Sequence, residues 1–244
     1  MATVPTLDDV AALVGVSTRA VSRVLRDEGG YSAATERRVR DAVDQLGYFP
    51  NLLARGLSGR RSGTIGLVGP NMSDPFFPEL ADEIQRGALE RGRTTFYASS
   101  FRDPDQQRAI LGSLRSYGVD AVVLHPVPGT RPEVEHFAAS GTPVVVIDRE
   151  WHGPGLASVS ADIEHGARLA VEAFTRAGRQ HIGMVVGDAG PSARTRTPGR
   201  RRTGFEGALP DDADRLVETG SLDVAGGSAA ASSLLEREPR LDAV

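Results

Sequence analysis

The chain has 244 residues, 40% of them hydrophobic, carries a formal net charge of −4 and contains no cysteine. That length holds more than one compact unit, and the absent cysteines exclude a disulfide framework and thiolate metal sites. All 28 basic residues are arginine, which excludes Walker-type phosphate loops and Schiff-base lysines, since both need an amine.

At the start of the chain, Thr6 followed by Asp9 reads as a capping pair, so a first helix opens there. Leu7, Val10, Ala11 and Val14 then recur at helical spacing and form one buried face. Gly15 suits a left-handed helix stop and Ser17 an N-cap for a second helix. In that second helix Ala20, Val21, Val24 and Leu25 turn inward, leaving Thr18, Arg19, Ser22, Arg23 and Arg26 outside. The exposed set offers guanidiniums for guanine edges and hydroxyls for phosphates, the layout of a DNA-reading helix-turn-helix. The plainer reading of the pair is a solvated basic helix in an ordinary helical domain.

Ser32 to Glu36 is another N-cap signature, and Val39, Ala42, Val43 and Leu46 continue a third helix to Gly47. Residues 1–62 carry nine arginines against seven acidic residues, a balance of +2 that leaves −6 on the remainder. Such asymmetry suits nucleic acid at one end only.

The ordered set Thr6-Leu7-x-Asp9-Val10-Ala11, Gly15-Val16-Ser17, Val21-Ser22-Arg23-Val24-Leu25, Tyr48-x-Pro50-Asn51 and Ala54-Arg55-x-Leu57 resembles the lactose-repressor and galactose-repressor (LacI/GalR) family of bacterial transcription regulators. The resemblance implies a headpiece over 1–48 and a hinge helix with linker over 49–62. It implies DNA contacts from Thr6, Leu7, Ser17, Thr18, Arg19, Ser22, Arg23, Asn51, Ala54 and Leu57. The hinge helix would form in the minor groove beside its dimer mate, with Leu57 wedged between base pairs. The physics is consistent: unstacking a step costs a few kcal/mol, offset by contacts the bend creates, and so short a helix is marginal alone. Ser58, Gly59, Ser62 and Gly63 alternatively read as a flexible linker. Two positions depart from the family pattern: Ala20 replaces a frequent threonine and Arg26 a usual asparagine. Thr18 and Arg19 occupy the positions that vary most with operator sequence.

From Thr64 onward short apolar runs alternate with helical patterns. Strands are expected at Thr64–Val68, Thr94–Ala98, Asp120–Leu124 and Val144–Ile147, with helices at Pro78–Arg91 and Pro104–Tyr117. This βαβ series predicts a doubly wound parallel sheet over 63–158. A second series over 159–244 is expected to hold a helix Ala161–Ala177, a strand His181–Val186, a helix around Thr203–Ala208, a strand near Leu216–Thr219 and a helix Ala225–Arg237. The fold class is therefore an all-α helix-turn-helix headpiece plus an α/β sensor of two subdomains. By the family resemblance that sensor is similar to periplasmic sugar-binding proteins.

In open parallel sheets, ligands sit beyond the carboxyl ends of the strands. The resemblance places effector-binding residues there: Asn71, Phe76 and Phe77 after the first sensor strand, Asp148 past its own strand, and Arg201 across a cleft. Phe76 and Phe77 would stack on a sugar or base, and Asn71 and Asp74 would accept hydrogen bonds from hydroxyls. The same residues also read as turns and caps, and Trp151 is weak evidence for stacking. The run Pro191–Arg202 holds five arginines in nine residues. It reads first as a solvated loop and second as an anion site.

Leu241–Val244 reads as the opening of a buried strand. The family's chain continues beyond it, so the second subdomain is expected to be incomplete and the product C-terminally truncated. His125, His136, His152, His165 and His181 lack metal-ligand spacing, and GxSxG, HExxH and GxGxxG motifs are missing. The expectation is no enzyme, no cofactor and no metal. The leading function is a cytoplasmic, homodimeric regulator that binds palindromic operator DNA, in most of the family as a repressor, and responds to a sugar or nucleoside. The alternatives are a truncated, non-sensing DNA-binding fragment and a solute-binding protein. No apolar run is long enough to cross a membrane, and residues 1–10 lack a secretory pattern.

Overall fold

Three helices, each started by a hydroxyl side chain, open the protein. The computed structural model describes residues 4–49, 61–72, 76–187, 197–210, 213–221 and 223–244. The chain divides into two units, Met1–Ser62 and Gly63–Val244.

In the first unit α1 is Leu7–Val14, α2 is Thr18–Val24 and α3 is Ala33–Leu46. The Thr6 amide donates to Asp9 Oδ2 at 2.7 Å and the Asp9 amide donates to Thr6 Oγ1 at 3.3 Å, the reciprocal box that the spacing predicts. Gly15 ends α1 at φ 74°, and the Ser17 hydroxyl caps α2 by accepting from the Ala20 amide at 3.2 Å. Gly15 is one position where the left-handed backbone favours glycine. Val10, Val14, Val21, Val24, Val39 and Ala42 form the core where the helices meet. Arg38 donates through Nη2 to the Val14 carbonyl, placing a cation on the C-terminal end of α1.

The second unit is built on a five-stranded parallel sheet. Its strands are β1 (Thr64–Gly69), β2 (Thr94–Ser99), β3 (Ala121–Leu124), β4 (Val144–Ile147) and β5 (Leu156–Val159), in the spatial order β2-β1-β3-β4-β5. The helices α4 (Phe76–Leu89), α5 (Pro104–Ser116) and α6 (Arg131–Ala139) connect them. Val68, Val122, Leu124, Val144 and Val146 are buried, and Leu111, Leu114, Val134 and Phe137 from α5 and α6 pack on them.

Two elements of this sheet were not expected. The helix α6 buries only Val134, Phe137 and Ala138 within nine residues, too short a stripe for periodicity to register. The strand β5 is half-buried or exposed throughout and pairs only with β4. An edge strand of that kind carries no apolar run. The helix α4 also starts two residues before the expected Pro78.

Beyond α7 (Ile163–Arg176), β6 (Gly183–Gly187) pairs in parallel with β7 (Leu216–Gly220), flanked by α8 (Thr197–Ala208) and α9 (Val224–Arg237). The expected terminal strand is present as a single bridge between Ile182 and Ala243, where the Gly183 amide donates to the Ala243 carbonyl at 2.8 Å. The helix α8 begins six residues earlier than expected. Pro198 lies in its first turn, where a missing amide costs nothing. Arg200, Arg201 and Arg202 are therefore helical, which corrects the solvated-loop reading for that half of the run; residues 188–196 lie outside the described residues. No described helix is long and apolar enough to cross a membrane.

α8 lies against α7 at Gly204, where an added Cβ would stand 2.1 Å from the Glu164 carbonyl oxygen. Because that neighbour is backbone, Gly204→Ala must push the two helices apart. The expected cost is about 1–3 kcal/mol, read as a lower urea midpoint for unfolding of the second unit with an unchanged α1–α3 unit.

Candidate functional site

The DNA-facing residues expected from the sequence divide by what holds them. Thr6 and Ser17 are the N-caps of α1 and α2, so their side-chain oxygens already accept helix amides. Asp9 Oδ2 in return accepts from the Thr6 hydroxyl and amide, each at 2.7 Å, which holds the Asp9 carboxyl below its usual range, chiefly through the hydroxyl. Leu7 is half-buried against the core. Thr18 and Ser22 are half-exposed on α2.

The arginines of α2 differ from one another. Arg23 is half-buried and donates through Nη2 to the Gly29 carbonyl at 2.7 Å. Gly30, at φ 75°, leaves room for that guanidinium, since an added Cβ would meet Arg23 Nη2 at 2.3 Å. That bond occupies one of the two N–H groups of Nη2 and limits the directions in which the guanidinium can point. Arg26 donates to the Ser22 carbonyl at 2.8 Å and pairs with Glu28 at 3.2 Å. Arg19 is exposed and makes no hydrogen bond or ion pair among the described residues. Asn51, Ala54 and Leu57, with the hinge helix as a whole, lie outside the described residues.

The second cluster forms at the carboxyl ends of β1, β3 and β4. In the order β2-β1-β3-β4-β5 the direction of winding reverses between β1 and β3, and a ligand crevice is expected beyond that point. Phe77, in the first turn of α4 after β1, is buried; Phe76 beside it is 53% exposed, with the ring centroids 5.2 Å apart and edge-on. His125 directly follows β3. Its amide donates to the Val68 carbonyl at 2.8 Å, its ring meets Phe77 edge-on at 5.0 Å, and its Nε2 lies 3.9 Å from Asp148 Oδ2.

Asp148 directly follows β4 at φ 58°, a left-handed conformation that aspartate tolerates better than most residues. Its amide still bonds to the Val159 carbonyl at 2.9 Å. Burial raises the Asp148 carboxyl above its ordinary value, and the charges of Arg149 and Arg201 pull it partly back. Arg201 is exposed on α8, so its influence on Asp148 reaches across from the second sheet's helices. One residue away, Arg200 Nη1 pairs with Glu150 Oε1 at 2.8 Å.

Four of the five expected cleft residues, Phe76, Phe77, Asp148 and Arg201, are thus drawn to one locality, and Asn71 follows β1 on the same edge. Asp74 lies outside the described residues. Sequence reasoning missed His125 by weighing the histidines only for metal spacing. The available signal was its place immediately after an apolar strand, the same signal that singled out Asp148. Trp151 is not a free stacking face: it packs on the sheet core, with the Arg131 guanidinium 5.7 Å over its ring. Among the described residues no group of His, Asp and Glu is arranged to hold a metal ion.

A three-helix unit opening on a helix-turn-helix, followed in the chain by a parallel-sheet unit with polar and aromatic residues gathered at its strand ends, is the layout of a class of ligand-responsive regulators. Residues 6–51 match the family of bacterial regulatory proteins of the lacI type, and residues 62–244 match the periplasmic binding proteins and sugar binding domain of the LacI family. The chain belongs to the LacI family.

Among its relatives, the ribose operon repressor of Bacillus subtilis is 33% identical over 246 residues, covering 98% of this chain and 71% of that protein. The sucrose operon repressor of Streptococcus mutans is 32% identical over 200 residues, covering 82% of this chain and 60% of that protein. A LacI-family transcriptional regulator from Silicibacter pomeroyi superposes with a TM-score of 0.78 at 28% identity, over 98% of this chain and 72% of that one. The lac repressor dimer bound to operator shares the fold, with a TM-score of 0.79 at 22% identity, over 96% of this chain and 71% of that one. This chain thus spans about 60% to 70% of the length of the relatives it matches.

The raised Asp148 carboxyl has a thermodynamic sign. A folded-state value above the unfolded 3.8 means that ionising Asp148 costs stability. The cost is absent below the unfolded value, accrues as pH rises through the raised one, and is constant above it. Asp148→Asn is therefore expected to raise the Tm of the second unit at pH 7, with the gain shrinking toward zero as the pH approaches 3.8. Calorimetry across that range checks the direction.

Proposed function

We propose that the protein is a transcription regulator, acting as a repressor, that binds a palindromic DNA operator as a homodimer and is controlled by a sugar or nucleoside. The observation that carries this reading is the union in one chain of a lacI-type DNA-binding segment with the family's sugar-binding domain. The relatives named as ribose and sucrose operon repressors support the same class of effector. Two-fold operators match protein dimers because each headpiece reads one half-site. A cytoplasmic location follows from the task of meeting DNA.

In this reading α2 enters the major groove. Arg19 reads a guanine, because its fork is exposed and has no partner among the described residues to surrender. Thr18, Ser22 and Arg23 add contacts, Thr6, Leu7 and Ser17 set the register on the phosphates, and Asn51, Ala54 and Leu57 act in the minor groove. In the crevice Phe76 and Phe77 supply an apolar wall, while Asn71, Asp148, Arg201 and His125 hydrogen-bond hydroxyls. Effector binding shifts operator affinity by the difference in its affinity for the two states of the sensor. Domain boundaries at 48 and 62 suit this division of labour, and the one expected at 158 moves past Val159, where β5 ends.

Selection from a random duplex pool is expected to recover a palindrome. Arg19→Ala should relax preference at one base pair per half-site, a loss of about 1–3 kcal/mol of discrimination; uniform weakening across all sequences would make Arg19 a phosphate contact instead. For the crevice, the single tryptophan, Trp151, stands three residues past Asp148 and reports on that loop. A panel of pentoses, hexoses, disaccharides and nucleosides is expected to include one that changes its fluorescence. Arg201→Ala should weaken that ligand about 10- to 100-fold, the equivalent of a charged hydrogen bond.

A further inference from the structure

Gln107 is a fully buried polar side chain on α5, in the same helix as Leu111 and Leu114 of the sheet core. An amide in such surroundings is costly unless its hydrogen-bonding groups are met. Its partners lie on one loop, residues 125–130, between β3 and α6. Gln107 Oε1 accepts from the Val127 amide at 2.7 Å, and Gln107 Nε2 donates to Thr130 Oγ1 at 2.6 Å. The Thr130 hydroxyl in turn donates to the Val127 carbonyl at 2.7 Å, and Thr130 is itself fully buried.

That loop begins with His125. On one side its backbone is fixed to β1 through the Val68 carbonyl; on the other, Val127 is clamped two residues later. Between these two anchors the imidazole is held edge-on to Phe77 and 3.9 Å from Asp148. A leucine at 107 would fill similar volume but leave the Val127 amide without its acceptor and Thr130 Oγ1 without the Gln107 donor, its own bond to the Val127 carbonyl remaining.

We propose that Gln107 is a positioning residue of the effector crevice: through Val127 and Thr130 it sets the β3–α6 loop so that His125 stands between Phe77 and Asp148. The proposal rests on reading that crevice as the effector site. Gln107 touches no ligand itself; its action is to limit where the His125 ring can go.

The test follows the His125 ring directly in the full chain, by proton NMR contacts between the His125 and Phe77 rings, with thermal unfolding as a check on folding. The parent protein and Thr130→Ser, which keeps the hydroxyl, should show these contacts; Gln107→Leu and Thr130→Val should lose them, with the His181 signals unmoved. If Gln107→Leu unfolds, Thr130→Val carries the test alone. Retention of the His125–Phe77 contacts in a folded variant of either kind overturns the proposal. Loss of the contacts, combined with a His125→Ala protein that binds every sugar and nucleoside of the fluorescence panel as the parent does, leaves the positioning role standing and removes His125 from the effector site.

Discussion

Parallel pairing of β1 between β2 and β3 is the constraint from which the crevice follows. Right-handed crossovers that run in opposite directions across a sheet must lie on opposite faces. The chain therefore leaves β1 toward one face through α4 and leaves β3 toward the other through α6. The backbone parts between the two carboxyl ends, and whatever follows each strand lines the gap. His125 and Asp148 directly follow β3 and β4, and Phe77 in the first turn of α4 meets the His125 ring, which brings together residues far apart in the chain.

The crevice then acquires its electrostatics from partial burial. Asp148 is taken far enough out of water to resist ionisation, yet Arg149 beside it and Arg201 on α8 favour its charge. These effects oppose each other, so the carboxylate is poised rather than locked in an ion pair. The Arg200–Glu150 pair runs parallel to this contact, but as a largely exposed pair it contributes little stability. Its geometry matters more, because it joins the loop after β4 to α8. A ligand between Asp148 and Arg201 would meet groups from both sheets of the unit, the arrangement needed to couple binding to their relative movement.

In the helical unit, an all-arginine complement serves structure and recognition by the same planar fork. Arg38 meets the carbonyl end of α1, Arg40 bridges Asp27 and Glu36, and Arg23 closes the turn at Gly29. A guanidinium can do this because it presents several donors in fixed directions. What distinguishes Arg19 is position: it lies in the first turn of α2, exposed, and makes no hydrogen bond or ion pair among the described residues. The separation of bracing arginines from the exposed Arg19 depends on contacts with segments several residues or a helix away.

Local chemistry in the sequence determined the capping residues, the glycine stops, the three-helix unit, the buried strands β1, β3 and β4 and the places of Phe77 and Asp148, because these depend on neighbours within a turn or a strand. The ordered motif determined the family. Tertiary structure alone decided the rest: that α6 and the edge strand β5 exist, that Trp151 is occupied by the core and Arg131, and that His125 joins Phe77 and Asp148. Each of these is settled by partners distant in sequence. A short stripe such as Val134, Phe137 and Ala138 becomes a helix when a sheet is there to receive it, and a histidine meets a carboxylate more than twenty residues along the chain when strand order sets the two side by side.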